Sequence, residues 1–212
     1  MKTIAFLLFD DVEVLDFSGP FDVFSMSSIA TGNDLFKLIT VSRDGKCIKA
    51  IHGLEINPSH SIADIAPGDI DILIIPGGAI PVIDALGEGA YADLVEWIKG
   101  IAPSTKITAS VCVGAFFAAK AGLFANLNAT THHGLLDRLV DWTKDQGTTV
   151  LRGPRYVDSG HEGPMIWSSA GVSAGIDMSF ALLQALEGAE VRAKTQQLME
   201  YNATTNWAAQ TT

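Results

Sequence analysis

Cysteine is scarce in this 212-residue chain, which has only Cys47 and Cys112. Two thiols so far apart in sequence do not make a disulfide framework, so a reducing compartment fits better and a cytoplasmic location is expected. Positive charge is scarce as well. Fourteen Lys and Arg against 24 Asp and Glu leave a formal charge of -10, which gives nucleic acid and anionic membrane surfaces no basic face to hold. Small or neutral partners are expected instead. Long apolar runs are also missing. The run Ile4 to Phe9 is cut off by Asp10 and Asp11 before signal-peptide length, and no small-residue cleavage pattern follows. The longest, around Cys112, is interrupted by Lys120 and broken by Gly114 and Gly122, so it does not read as a bilayer span. There is no internal repeat, no low-complexity segment, no H-E-x-x-H and no Cys/His ligand spacing, so no metal is expected.

What is present is a core-forming composition. The chain is 48% hydrophobic and 18% charged, without linker composition, so one domain over residues 1–212 is the expectation. Its centre is TKITASVCVGAFFAAKA, Thr105 to Ala121. A β-branched, strand-like run meets a small-residue, helix-like run at Cys112, where the period changes. A strand, tight turn and helix of this kind form a nucleophile elbow, with Gly114 leaving room for the backbone. Backbone N–H groups at the helix start favour thiolate over thiol, so a depressed thiol pKa is expected. The other reading of Cys112, a buried cysteine acting as a small hydrophobe, stands beside it at this point.

Taken in order, Thr3 to Phe9 is a nearly continuous apolar run, as in a strand buried on both faces of a parallel sheet. Asp16 falls in the loop after it, and Ser18-Gly19-Pro20 reads as a turn and helix start. Phe36 to Ser42 is a second strand, with Asp44-Gly45 as a hairpin turn into a small antiparallel excursion. Asp69 to Pro81 reads as a buried strand ending in Pro76-Gly77-Gly78, whose glycines bring backbone N–H groups close to a ligand. A helix over about Glu88 to Lys99 precedes the elbow. After it come a short strand closing on His132 and His133, a helix over about 135–144, short strands in TTVL and RYVDSG, and a strand-to-helix run from Met165 to Asp177. Helices over about 176–187 and 190–200 follow, and the tail from Tyr201 has no clear period. The glycines of 171–175 lack the Lys-Ser/Thr of a phosphate loop, so close helix packing is their expected role. Alternating strands and helices predict an open α/β sheet, whose ligands bind beyond the carboxyl ends of the strands. Asp16, Gly77, Gly78 and Cys112 all follow such ends.

IPGG, SVCVGAFFAAKAGL, ATTH, SAGVSAGID and an early VLDFSGPFDVF, in this order, resemble the DJ-1/PfpI superfamily, a class I glutamine amidotransferase-like group, and within it the isocyanide hydratase branch. The resemblance spans nearly the whole chain. It implies a flavodoxin-like, mostly parallel sheet between helices, a homodimer, no cofactor, and addition of water to an isocyanide to give an N-substituted formamide. It makes Cys112 the nucleophile and Asp16 its carboxyl partner, with the N–H groups of Gly78 and Val113 forming an anion-stabilising pocket beside Gly77. Protease-like members resemble this chain but carry a histidine where Val113 stands, so that arrangement loses its base. Characterised hydratases carry threonine there; Val113 keeps the β-branched shape and loses the hydroxyl. DJ-1-like members have a glutamate near the cysteine, where Asp16 points to the hydratase branch.

The chemistry is coherent, since an isocyanide carbon accepts a nucleophile while its nitrogen side takes a proton. A carboxyl beside a thiolate is pushed toward its protonated form. The plainer reading of Asp16 is a turn or helix-cap aspartate. His132 is assigned to the substrate pocket or to structure, and His133 to nothing, the two adjacent rings being expected to point differently. His52, His60 and His161 are expected in solvated loops, and Cys47 is a structural or exposed thiol. Two further classes remain open: a redox-sensing or stress-protective protein with an oxidisable Cys112, and a ligand-binding module related to regulator sensor domains. The second lacks a helix-turn-helix-sized extension and a basic face.

Overall fold

The computed structural model describes residues 1–159 and 164–202. In chain order the elements are β1 (Lys2–Leu7), α1 (Val14–Thr31), β2 (Phe36–Ser42), β3 (Ile48–Lys49), β4 (Glu55–Ile56), β5 (His60–Ser61), β6 (Ile72–Ile75), α2 (Ile80–Gly87), α3 (Ala92–Ile101), β7 (Ile107–Val111), α4 (Gly114–Lys120), β8 (Asn128–Ala129), α5 (Leu136–Thr143), β9 (Thr149–Val150), β10 (Tyr156–Ser159), β11 (Met165–Ser169), α6 (Ala174–Glu187) and α7 (Ala189–Leu198). The main sheet runs β10-β11-β7-β6-β1-β2-β5. Every neighbouring pair is parallel except β10 with β11. The central strands β6 and β7 are buried at every residue, which is why their sequences, ILII and ITASV, lack the alternation of a half-solvated sheet. One group of helices, α1, α6 and α7, packs together, and α4 packs against α3 and α5. Phe116 of α4 meets Trp142 of α5 edge-on at 5.2 Å, and Gly19 of α1 lies so close to α6 that a Cβ there would sit 2.7 Å from Ile176 Cγ1. Gly175 likewise fits α6 against Val111 and Pro20, in line with the packing role expected for it.

Several boundaries differ from the sequence expectation. Helix α1 starts at Val14, so Asp16 lies in its first turn and not in the preceding loop, and Pro20 is internal. Pro20 has no N–H to give the Asp16 carbonyl, and the helix runs on through it to Thr31. The apolar run from Asp69 splits: β6 ends at Ile75, and Ile80–Gly87 is a helix with proline in its first turn, a position where proline has no bond to lose. Asp44-Gly45 joins β2 to β3 without pairing them; β3 pairs antiparallel with β4, and β5 extends the main sheet beside β2. His60 is therefore in a strand and half-buried, while His52 is exposed. His161 and residues 203–212 of the tail lie outside the described residues. Tyr201, within them, stacks on Phe180 at 5.4 Å and donates to Asp177 Oδ1 at 3.2 Å. Among the described residues no helix is long and apolar enough to cross a membrane.

Candidate active site

The strands β11, β7, β6 and β1 are neighbours and parallel, so the segments that follow them meet at one edge of the sheet. The segment after β7 carries Cys112 at φ 55°. A non-glycine residue held at positive φ is uncommon and is the mark of the sharp strand-to-helix turn. The turn is fixed from several sides. The Cys112 N–H points to the carbonyls of Ser169 and Ala170, each at 3.2 Å, and the Thr131 hydroxyl donates to the Cys112 carbonyl at 2.7 Å. Behind it, a Cβ on Gly114 would lie 2.1 Å from the Ile75 carbonyl oxygen. That neighbour is backbone in the sheet centre and cannot give way. Gly114→Ala is accordingly expected to cost at least the ~1–3 kcal/mol of an overpacked core, read as a lower urea midpoint with an unchanged slope.

Asp16 reaches the same point from α1. It is fully buried, and its Oδ2 accepts the Gly77 N–H at 2.9 Å. Gly77 has to be glycine for this contact: a Cβ would sit 2.6 Å from Asp16 Oδ2 and 2.7 Å from Val113 N. The other carboxyl oxygen, Oδ1, has no partner at bonding geometry, although the Cys112 thiol is near enough to act on the carboxyl. Burial raises the Asp16 pKa from 3.8 to about 7; the Gly77 N–H opposes this, the Glu13 charge adds to it, and the Cys112 thiol opposes it.

The expected depression of the Cys112 thiol is overturned by its surroundings. Burial pushes it up to about 12, the Asp16 charge adds to the rise, and the N–H groups of Val172 and Val113 work against both. Desolvation of the thiolate outweighs the donors at the helix start. The thiol and carboxyl therefore titrate as a pair, holding one proton between them over a wide range above neutrality.

Over the sulfur lies a cavity of about 290 Å³, to which Gly78, Val113 and His132 contribute, joined by Glu13, Ile80, Leu135 and Val172. Around Gly78 an antiparallel bridge to Val12 uses the bonds Glu13 N–H to Gly77 O and Ala79 N–H to Asp11 O, both 2.9 Å. This alternation leaves the Gly78 N–H without an acceptor among the described residues. The Val113 N–H instead faces the Cys112 sulfur. His132 accepts the Gly134 N–H on Nδ1 at 3.2 Å, which leaves Nε2 as its donor, and burial followed by His133 lowers its pKa. The two rings do not point apart as expected; they lie against each other, tilted by 32° with 4.3 Å between centroids. Among the described residues no group of three or more His, Cys, Asp or Glu side chains is placed to hold a metal. Cys47 is exposed and lines a separate cavity of about 350 Å³.

Sequence reasoning missed Val172 and Glu13. Val172 stands at φ 43°, a genuine outlier for a β-branched residue, and the turn carries its N–H to the sulfur. The only trace in the sequence was the glycine-marked turn AGVSAG.

The molecule is similar along its length to known proteins. A curated relative, the isonitrile hydratase of Pseudomonas putida, is 29% identical over 204 residues, covering 93% of this chain and 78% of that protein. The HTH-type transcriptional regulator GbdR of Pseudomonas aeruginosa is 23% identical over 205 residues, 97% of this chain, which spans 52% of the regulator's length. Among solved structures, a THiJ/PfpI family protein from Pseudomonas syringae superposes with a TM-score of 0.79 at 23% identity, covering 99% of this chain and 79% of that one. The sequence profile of the DJ-1/PfpI family matches residues 2–185. With that match over most of its length, the chain belongs to the DJ-1/PfpI family.

Proposed function

We propose that this protein is a cysteine-dependent hydratase that adds water to an isocyanide and releases an N-substituted formamide. The observation that carries the reading is the contact between a strained, buried Cys112 and a carboxyl, Asp16, whose pKa is raised to about 7. The similarity to an isonitrile hydratase supports the same reaction. Acting as base, the Asp16 carboxylate takes the thiol proton while sulfur bonds to the isocyanide carbon. A thiolate of high pKa is the stronger nucleophile once formed. The proton passes from Asp16 to that carbon, giving a thioimidate. Water then adds to the same carbon, Asp16 taking one of its protons and passing it to the substrate nitrogen, which becomes N–H. As the C–S bond breaks, the hydroxyl of the adduct becomes the formamide carbonyl and its proton goes to Asp16, which returns the pair with its single proton. The free Gly78 N–H and His132 Nε2 supply donors at the cavity wall.

The site needs no cofactor for these steps, and we assign the work to a cytoplasmic homodimer. Sedimentation at micromolar concentration is expected to give twice the 22.5 kDa chain mass; a monomer alone would reject the dimer. The reaction itself is tested by formamide production from a panel of alkyl and aryl isocyanides. No formamide from any of them, with Cys112 instead oxidised readily by peroxide, would favour the redox-sensing role.

A further inference from the structure

One wall of the cavity over Cys112 is charged. Glu13 is the N-cap residue of α1, yet its side chain makes no cap hydrogen bond, the usual use of an acceptor at that position. Its backbone is held on both sides, the N–H donating to Gly77 O at 2.9 Å and the C=O accepting the Asp16 N–H at 3.2 Å. The carboxylate has no ion-pair partner among the described residues; Glu13 is a lining residue of the cavity, and its charge reaches Asp16. No Lys or Arg lines the cavity, and the remaining wall is apolar at Ala79, Ile80, Leu135 and Val172.

We propose that Glu13 sets the charge specificity of this site, admitting reagents and substrates whose substituent is neutral or cationic and rejecting carboxylated ones. A second negative charge brought into so small a space meets Glu13 at close range, partly shielded from water, which amounts to about 10-fold or more in discrimination. For isocyanides the inference rests on the hydratase reading. The charge gate itself does not, because any reagent that must cross the cavity to reach the sulfur is subject to it.

The experiment uses alkylation of Cys112 in a Cys47→Ser background, so that the exposed thiol does not react. Neutral iodoacetamide and anionic iodoacetate differ in charge at similar size, and in both the sulfur displaces iodide. The ratio of their rates cancels any change in thiol reactivity. Relative to a free thiol in the same buffer, the protein is expected to favour iodoacetamide by about 10-fold, and Glu13→Gln to lose most of that preference, the Asp16 charge beside the sulfur keeping the rest. An equal ratio in both proteins overturns the proposal, and so does failure of both reagents to reach Cys112. In parallel, hydration of a neutral isocyanoacetate ester and of isocyanoacetate is compared, with the expected difference in KM rather than kcat. Charge-selective alkylation without hydration of either compound would keep Glu13 as the gate and reject the hydratase reading instead.

Discussion

Cys112→Ala is expected to lower formamide production by at least about 10⁴-fold, the scale on which loss of a nucleophile is felt, and Cys112→Ser to lose most of it. Alanine is small enough for the buried elbow and leaves the turn's anchors in place, because the Thr131 hydroxyl and the carbonyls of Ser169 and Ala170 all bond Cys112 backbone atoms. A loss of rate is then a loss of sulfur. Serine keeps the shape but ionises far less readily near neutral pH, so the pair cannot hand it over to the substrate. Steady-state kinetics with the best isocyanide of the panel reads both variants, and an alanine variant that keeps the wild-type rate would end the covalent mechanism.

Asp16→Asn carries the second large effect, and it moves two properties in opposite directions. Turnover is expected to fall by ~10²–10⁴-fold, the usual loss with a general acid–base group. The wild-type rate should rise as pH passes through about 7, where the carboxyl gives up its proton and becomes able to accept that of the thiol. The asparagine variant should lose that rise. Stability behaves otherwise. The native carboxyl titrates near 7 and the unfolded one near 3.8, so between these values the native state holds a proton that the unfolded state has released. Stability from this group is therefore complete below about pH 4, falls as pH rises through the window, and is gone above about 7. A shift of this size corresponds to on the order of 4 kcal/mol. Asparagine removes the dependence, so urea denaturation at pH 8 should find the variant more stable than wild type, with the difference small near pH 4.5. A variant that keeps its rate would remove Asp16 from the mechanism, and one that gains nothing at pH 8 would contradict its buried, costly charge.

The sheet and the elbow were legible because they depend on local pattern. The unbroken runs at Ile72–Ile75 and Ile107–Val111 and the change of period at Cys112 are features of neighbouring residues. The direction of the Cys112 shift was not legible. Nearby N–H donors can be inferred from a strand-helix junction, but the burial that outweighs them is set by tertiary packing, and the Asp16 charge that adds to it arrives from a helix distant in sequence. Val172 was missed for a similar reason: nothing in AGVSAG says that the valine, rather than a glycine beside it, takes the positive φ. Glu13 looked like one of several acidic residues before α1. Its importance lies in a side chain that does not cap, which only the packing reveals.

Asp16, Gly77, Gly78, Cys112 and Val172 all follow the same end of four adjacent parallel strands, and the segment after β8 adds His132 and Leu135 from the side. The turn at Gly32–Asp34, which carries the chain from α1 back into β2, lies at the opposite edge and is exposed. The molecule is thus divided into an end that carries the candidate site and an end that closes a connection. For protein engineering this division is practical: an affinity tag, a fluorophore or a surface tether placed at Asn33 stands a full strand length from the chemistry. The same graft at Ala79 would occupy the cavity wall itself.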